Sequence, residues 1–308
     1  MRSIGSPSVA EFFKNSASPA AAQNGRLLSL PFLLYIIYYQ PRIRMVYMKI
    51  IDFHAHIYPD KIAERATEAI GKFYDIKMDR VGSVDNLLKY SERAGITTSV
   101  VHSVATSEQQ VERINDFITA EVSAHPGRLF GFGTMHQDYE EKIAEVDRCI
   151  SLGLKGIKLH PDTQMFNVDD ERMLLMYDYM QGKLPLLLHC GDYRYDYSHP
   201  RRVARICKMF PKLTVIGAHF GGYSVWDEAY EQLKDVNCML DTSSSSALME
   251  EGMFAKYINA YGADRLLFGT DFPMWDPAEE LNRFMAVPMS DSDREKILFT
   301  NASNLLKI

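Results

Sequence analysis

The sequence predicts a (β/α)8 barrel, an α/β fold, and two regularities carry that reading. Short apolar or β-branched runs alternate with longer amphipathic stretches from Lys49 to the C-terminus, at the spacing of strand–helix–strand repeats. The strand-like runs end on His56, His102, Thr134, His160, His189, His219, Asp241 and Asp271. A barrel gathers the C-terminal ends of all its strands at one mouth, whereas an open sheet leaves some far apart. No glycine-rich phosphate fingerprint follows the first run, which also counts against a doubly wound sheet. Eight units in about 260 residues is the size of such a barrel.

The elements follow in order. The first strand begins at Met48 and runs through Ile50-Ile51-Asp52-Phe53-His54 to His56. Ser83–Ala94 reads as a helix additional to the repeat. In Asp138–Leu152, Ile143, Val146 and Ile150 share a face, and Gly153 closes the helix. Asp169–Met180, Pro200–Phe210 and Val225–Lys234 read the same way. Leu184–Leu188 and Leu213–Ile216 are apolar on both faces, as parallel strands covered by helices are.

Residues 1–47 differ from the rest. Ser3 to Gly25 is rich in Ser, Ala and Asn, and Leu27–Tyr39 is a 13-residue apolar run containing Pro31, too short to span a bilayer. No small-x-small cleavage site follows it. The expectation is a leader over 1–47, disordered or upstream of a native start near Met45 or Met48, ahead of a single functional domain over 48–308. The 308 residues are 46% hydrophobic and 24% charged, with a net charge of −6. That balance gives no general attraction to nucleic acid or anionic membrane. The four Cys form no C-x-x-C pair, which predicts reduced thiols and a cytoplasmic protein.

The chemistry is concentrated at the strand ends. His54 and His56 alternate on one strand and so project from the same face, together with Asp52. The same parity holds for His189, His219 and Asp271, each at the end of its own run. With these faces inward, the five side chains converge above the barrel interior. Three or more His with a carboxylate suit zinc first, with manganese, iron or cobalt as alternatives. His160 reads as a substrate contact, and His102, His125 and His136 as hydrogen-bonded structural residues. His199 before Pro200 reads as a helix-entry residue. After the fifth strand, Arg194 is placed to pair with a substrate carboxylate, with Tyr193 and Tyr195 as walls. Trp226 and Trp275 read as packing residues.

Asp52-Phe53-His54-Ala55-His56, Leu187-Leu188-His189-Cys190-Gly191, Ala218-His219-Phe220-Gly221-Gly222 and Gly269-Thr270-Asp271-Phe272-Pro273 together resemble the amidohydrolase superfamily. They are most similar to its amidohydrolase-related branch, which includes aminocarboxymuconate-semialdehyde decarboxylase and metal-dependent lactonases. The resemblance covers roughly 48–308 and implies one divalent metal on His54, His56, His189 and Asp271, with His219 as a nearby base. Lys158 lies two residues before the end of the fourth strand, which argues against a bridged pair of metals. The branch holds both hydrolases and decarboxylases. Hydrolysis of an amide, a lactone or a related bond in a small anionic substrate is the expected reaction, with Asp271 or His219 taking a proton from water. The ground for that choice is a compact barrel with no recognisable insertion or long lid. Non-oxidative decarboxylation is the alternative, and a metal-binding sensor or scaffold without turnover ranks last. The expected partner is a small molecule, with no nucleic acid or membrane and with a homo-oligomer left open.

Overall fold

The computed structural model describes residues 49–308; the leader assigned to 1–47 lies outside them. Strand β1 (Ile51–His56) pairs in parallel with β2 (Thr98–His102), and β2 with β3 (Leu129–Gly131). Next come β4 (Gly133–Thr134), β5 (Ile157–Leu159), β6 (Leu186–Leu188), β7 (Val215–Gly217), β8 (Met239–Asp241) and β9 (Leu266–Leu267). They pair in sequence order, always in parallel. β3 and β4 are one stave interrupted at Phe132, whose amide donates to Val101 while that of Gly133 turns to Gly156, both at 2.9 Å. The ring closes between its last and first staves. Phe53 N–H donates to the Phe268 carbonyl at 2.8 Å, Asp271 N–H to that of His54 at 2.8 Å, and His56 N–H to that of Phe272 at 2.7 Å. Nine segments therefore form the eight staves of the barrel.

The staves hold together through side chains that the alternation buries. Ile51, Phe53, Val100, Phe132, Leu187, Ile216 and Leu267 form one core with Ala302 and Leu306 of the last helix. Burying each large apolar side chain contributes about 1.5–3 kcal/mol. Helices Lys142–Ser151, Glu171–Met180, Pro200–Met209 and Trp226–Leu233 sit within a few residues of their expected spans. His160, His189, His219 and Asp271 stand on the turns just beyond β5, β6, β7 and β9 rather than within the strands.

One expectation about the helices is corrected. Between β1 and β2 lie α1 (Asp60–Tyr74) and α2 (Val84–Ala94). α2 is capped by the Ser83 hydroxyl, which accepts from the Asn86 amide, and ends at Gly95 with φ of 76°. It packs against helix Pro277–Met285 and so occupies the outer-ring place of a regular unit. The additional element is α1, not Ser83–Ala94. α1 leaves the end of β1 at the barrel mouth, where its Ile70 and Tyr74 reach the polar cluster. No helix among the described residues is long and apolar enough to cross a membrane.

Candidate active site

The turns that carry the polar cluster have an unusual backbone. His219, Phe220, Ser244 and Asp271 have φ of 60°, 54°, 56° and 60°, the left-handed region that non-glycine residues enter at a cost. Such strain persists where the surroundings over-determine a functional side chain. Gly269 allows the last stave to approach the first: a Cβ there would stand 2.9 Å from the Cβ of His54. Asp52 accepts from the Thr270 amide at 2.9 Å and from its hydroxyl at 2.6 Å, locking β1 to the residue before Asp271.

Three side chains meet at one point. His54 Nε2 and His56 Nε2 are 3.3 Å apart, and each is 3.5 Å from Asp271 Oδ1. His219 groups with His54 and Asp271, with its ligand atom within 4.8 Å of theirs. His54 Nδ1 bonds Asp241 Oδ2 at 2.8 Å. That bond assigns the ring proton to Nδ1 and leaves the Nε2 lone pair facing the cluster, the usual support of a metal-ligating imidazole. His102 lies edge-on to both rings of the pair, at 4.7 and 4.4 Å between centroids, and neither of its buried nitrogens has a partner. The donor set fits a divalent cation.

A second group adjoins the first. His160 stacks on His189 at 3.9 Å between centroids. The Tyr74 hydroxyl lies 2.7 Å from His160 Nε2 and 3.4 Å from His189 Nε2. His189 Nδ1 is 3.0 Å from His219 Nε2, and His219 Nδ1 is 2.9 Å from the Ser243 carbonyl. A continuous hydrogen-bonded chain thus runs from His160 to Ser243. Both groups border a chamber of about 20 Å³ whose apolar wall is Tyr58, Ile70, Tyr74, Met78 and Met274. It has room for about one water.

Burial dominates the electrostatics. It pushes His54 down to about 4, with the Lys158 ammonium adding to the effect. It also holds His102, His160 and His189 well below the usual imidazole range. Burial alone would raise Asp271, but His54, His56 and His219 hold it well below the ordinary carboxylate range. Lys158, buried on β5, is lowered to about 8 by burial, and its Nζ stands 3.2 Å from His54 Nε2. Asp52 and Asp162 are raised to about 7, again by burial.

These shifts set a pH dependence for the metal-free protein. An imidazole lowered in the folded state favours folding above its unfolded value and loses that contribution as pH falls through the folded one. For His54 the window runs from 6.5 to about 4, on the order of 3 kcal/mol. Asp52 and Asp162 act in the opposite sense over the same range, but four imidazoles outweigh two carboxyls. The melting temperature of chelator-treated protein should therefore fall steadily between pH 6.5 and 4. A level profile in thermal melts would contradict the buried, neutral histidines.

The structure brings some of the expected site residues together and disperses others. His54, His56 and Asp271 converge, His219 stands beside them, and His160 lines the chamber. His189 is not at the point where those three meet: its Nδ1 is spent on His219 and its Nε2 faces Tyr74 and Asp162. Arg194 does not line the chamber. Asp192, two residues away, takes its guanidinium at 2.6 Å, and its Nη1 donates to the Phe73 carbonyl at 2.6 Å, strapping α1 down. Tyr195 stacks on Phe73, and Tyr193 is 76% exposed; neither lines the chamber. His199 caps helix Pro200–Met209 as expected. Trp226 and Trp275 donate to the His219 carbonyl and the Ser244 hydroxyl, bracing both strained turns. Sequence reasoning gave no site role to His102, Lys158, Asp241 or Tyr74, and its reading of His102 as hydrogen-bonded is corrected, since neither ring nitrogen has a partner. Parity on their strands was the available signal for the first three.

Residues 51–308 match the amidohydrolase family profile. The chain belongs to the amidohydrolase family. Among curated relatives, gamma-resorcylate decarboxylase from Polaromonas sp. (strain JS666) is 25% identical over 302 residues, covering 78% of this chain and 90% of the relative. An uncharacterised TIM-barrel protein from Bordetella bronchiseptica superposes with a TM-score of 0.70 at 22% identity, over 84% of this chain and 99% of its own. A dihydroxybenzoic acid decarboxylase from Polaromonas sp. JS666, solved with bound manganese and the inhibitor 2-nitroresorcinol, gives a TM-score of 0.63 at 18% identity, over 84% and 97%. The likeness to both solved structures is one of fold. The expectation of hydrolysis is overturned by the curated relatives, which are decarboxylases. Its physical ground, the absence of an insertion or long lid, is weakened too, because Ile70 and Tyr74 of α1 line the chamber.

Proposed function

We propose that the chain is a metal-dependent, non-oxidative decarboxylase of an aromatic carboxylic acid. The observation that carries this reading is the chamber: acid–base side chains under an apolar roof, with room for about one water. Loss of CO₂ leaves an electron pair on carbon that must be protonated only where intended, and a dry pocket secures that. The curated relatives, gamma-resorcylate decarboxylases, support the same choice.

We assign one divalent metal to His54, His56 and Asp271, with His189 as the fourth ligand that the family resemblance implies. When bound, it polarises the substrate's oxygens. Zinc is the first choice for these donors, and manganese is the ion in three solved neighbours. His219 and Asp271 are placed to hold the proton that the ring carbon takes as the C–C bond electrons pass to it and CO₂ departs. Tyr58, Ile70 and Met274 exclude bulk water.

The test uses metal-reconstituted protein and 2,6-dihydroxybenzoate in deuterated water. The expected result is stoichiometric CO₂ with one deuterium on the product ring carbon. Uptake of solvent oxygen into the product of a lactone or amide, with no CO₂ from aromatic acids, would overturn the reading.

A further inference from the structure

A second cavity, of about 580 Å³, opens beside the catalytic chamber between α1 and helix Val111–Ala124. The two share His56, Tyr58, Ile70 and His160 as common walls. Away from that shared wall the larger cavity is mainly apolar, with Ile62, Ala66, Phe73, Ile114 and Phe117 facing it, and Gln110 and Arg113 at its polar rim. Its size falls within the roughly 300–1,000 Å³ of drug-sized ligand sites, whereas the chamber has room for about one water. A substrate with its carboxylate beside His56 and His160 must therefore extend most of its bulk into this space. A bare dihydroxybenzoate leaves much of it unfilled.

We propose that this cavity is a tail subsite, and that the substrate is an aromatic acid bearing an extended apolar substituent, an alkyl chain or a second ring. The inference rests on the decarboxylase reading for the position of the carboxylate. The apolar lining, together with His56 and His160 in the cavity's own wall, assigns the tail. Gly and Ala could not close such a space, but larger residues at Ala66 would, because that position faces it from α1.

Turnover and binding are measured separately. Calorimetry compares resorcinol with 5-pentylresorcinol, product-like probes that need no chemistry, and kinetics compare 2,6-dihydroxybenzoate with its 4-pentyl derivative. Each buried methylene tightens binding about fourfold, so the pentyl probe should bind at least about a hundredfold more tightly. Ala66→Phe, and Ile114→Trp as a second variant, should each bring that ratio to near one. Equal affinity for the two resorcinols overturns the tail subsite, as does a chain-length preference that survives in both variants. A dimer abolished by the same variants, with no chain-length preference, would give the groove to a second copy of this chain. If neither acid releases CO₂ while the preference persists, the decarboxylase reading fails and the subsite stands.

Discussion

Asp271→Asn should lower decarboxylation by about a hundred- to ten-thousandfold and release most of the metal, while the barrel stays folded. Asp271 Oδ1 is the point on which His54 Nε2 and His56 Nε2 close, and Ser244 anchors its other oxygen. An amide keeps the shape but offers no negative charge to a cation. The two neighbouring histidines sharpen the test. His189→Ala should lose metal, whereas His219→Asn, which suits the left-handed backbone there, should keep most of it and lose turnover, because His219 completes proton transfer rather than ligation in the proposed arrangement. Elemental analysis with rates on the same samples checks all three. Equal metal loss at 189 and 219 would make His219 a ligand, and full metal content in Asp271→Asn would sink the proposed site.

Lys158→Met should destabilise the metal-free protein more than the metal-loaded protein. The ammonium is buried, donates to His54 Nε2 at 3.2 Å, and faces the charges of Asp241 and Asp271. Without metal it is the cation that balances those two carboxylates. With metal bound, the ion supplies that charge, so losing the ammonium matters less. Melting temperatures of the variant and parent, each with and without metal, give the comparison. An identical loss in both states would show that Lys158 balances nothing at the centre.

Much of the barrel was legible because strand parity and repeat spacing are local signals. The ends of β1, β2 and β8 at His56, His102 and Asp241 fall where the apolar runs stop. The convergence of His54, His56 and Asp271 followed from those ends. What was missed needed three dimensions. His102 is an ordinary strand-end histidine until two other rings are seen against it. Lys158 looked displaced by two residues, yet residues 158 and 160 share a face, so it points to the same interior. The roof was the costliest omission. Ile62, Ala66, Ile70 and Tyr74 recur every four residues, a helical stripe, but nothing in that spacing shows that the stripe faces a mouth rather than a barrel wall. Arg194 stands apart for a different reason, because the nearer Asp192 carboxylate takes its guanidinium.

The left-handed backbone at His219 and Asp271 also limits which replacements can report on chemistry. Asn, Asp and His enter that region several-fold more readily than other side chains, and a β-branched residue there is an outlier in its own right. A Val or Thr at either position would shift the turn by about 1–2 kcal/mol of torsional preference before any question of proton transfer arose. Saturation libraries at these two positions would therefore show apparent intolerance that records the peptide chain rather than the reaction. Asn and Gly are the informative members, and their difference from each other separates the side chain's role from the turn's.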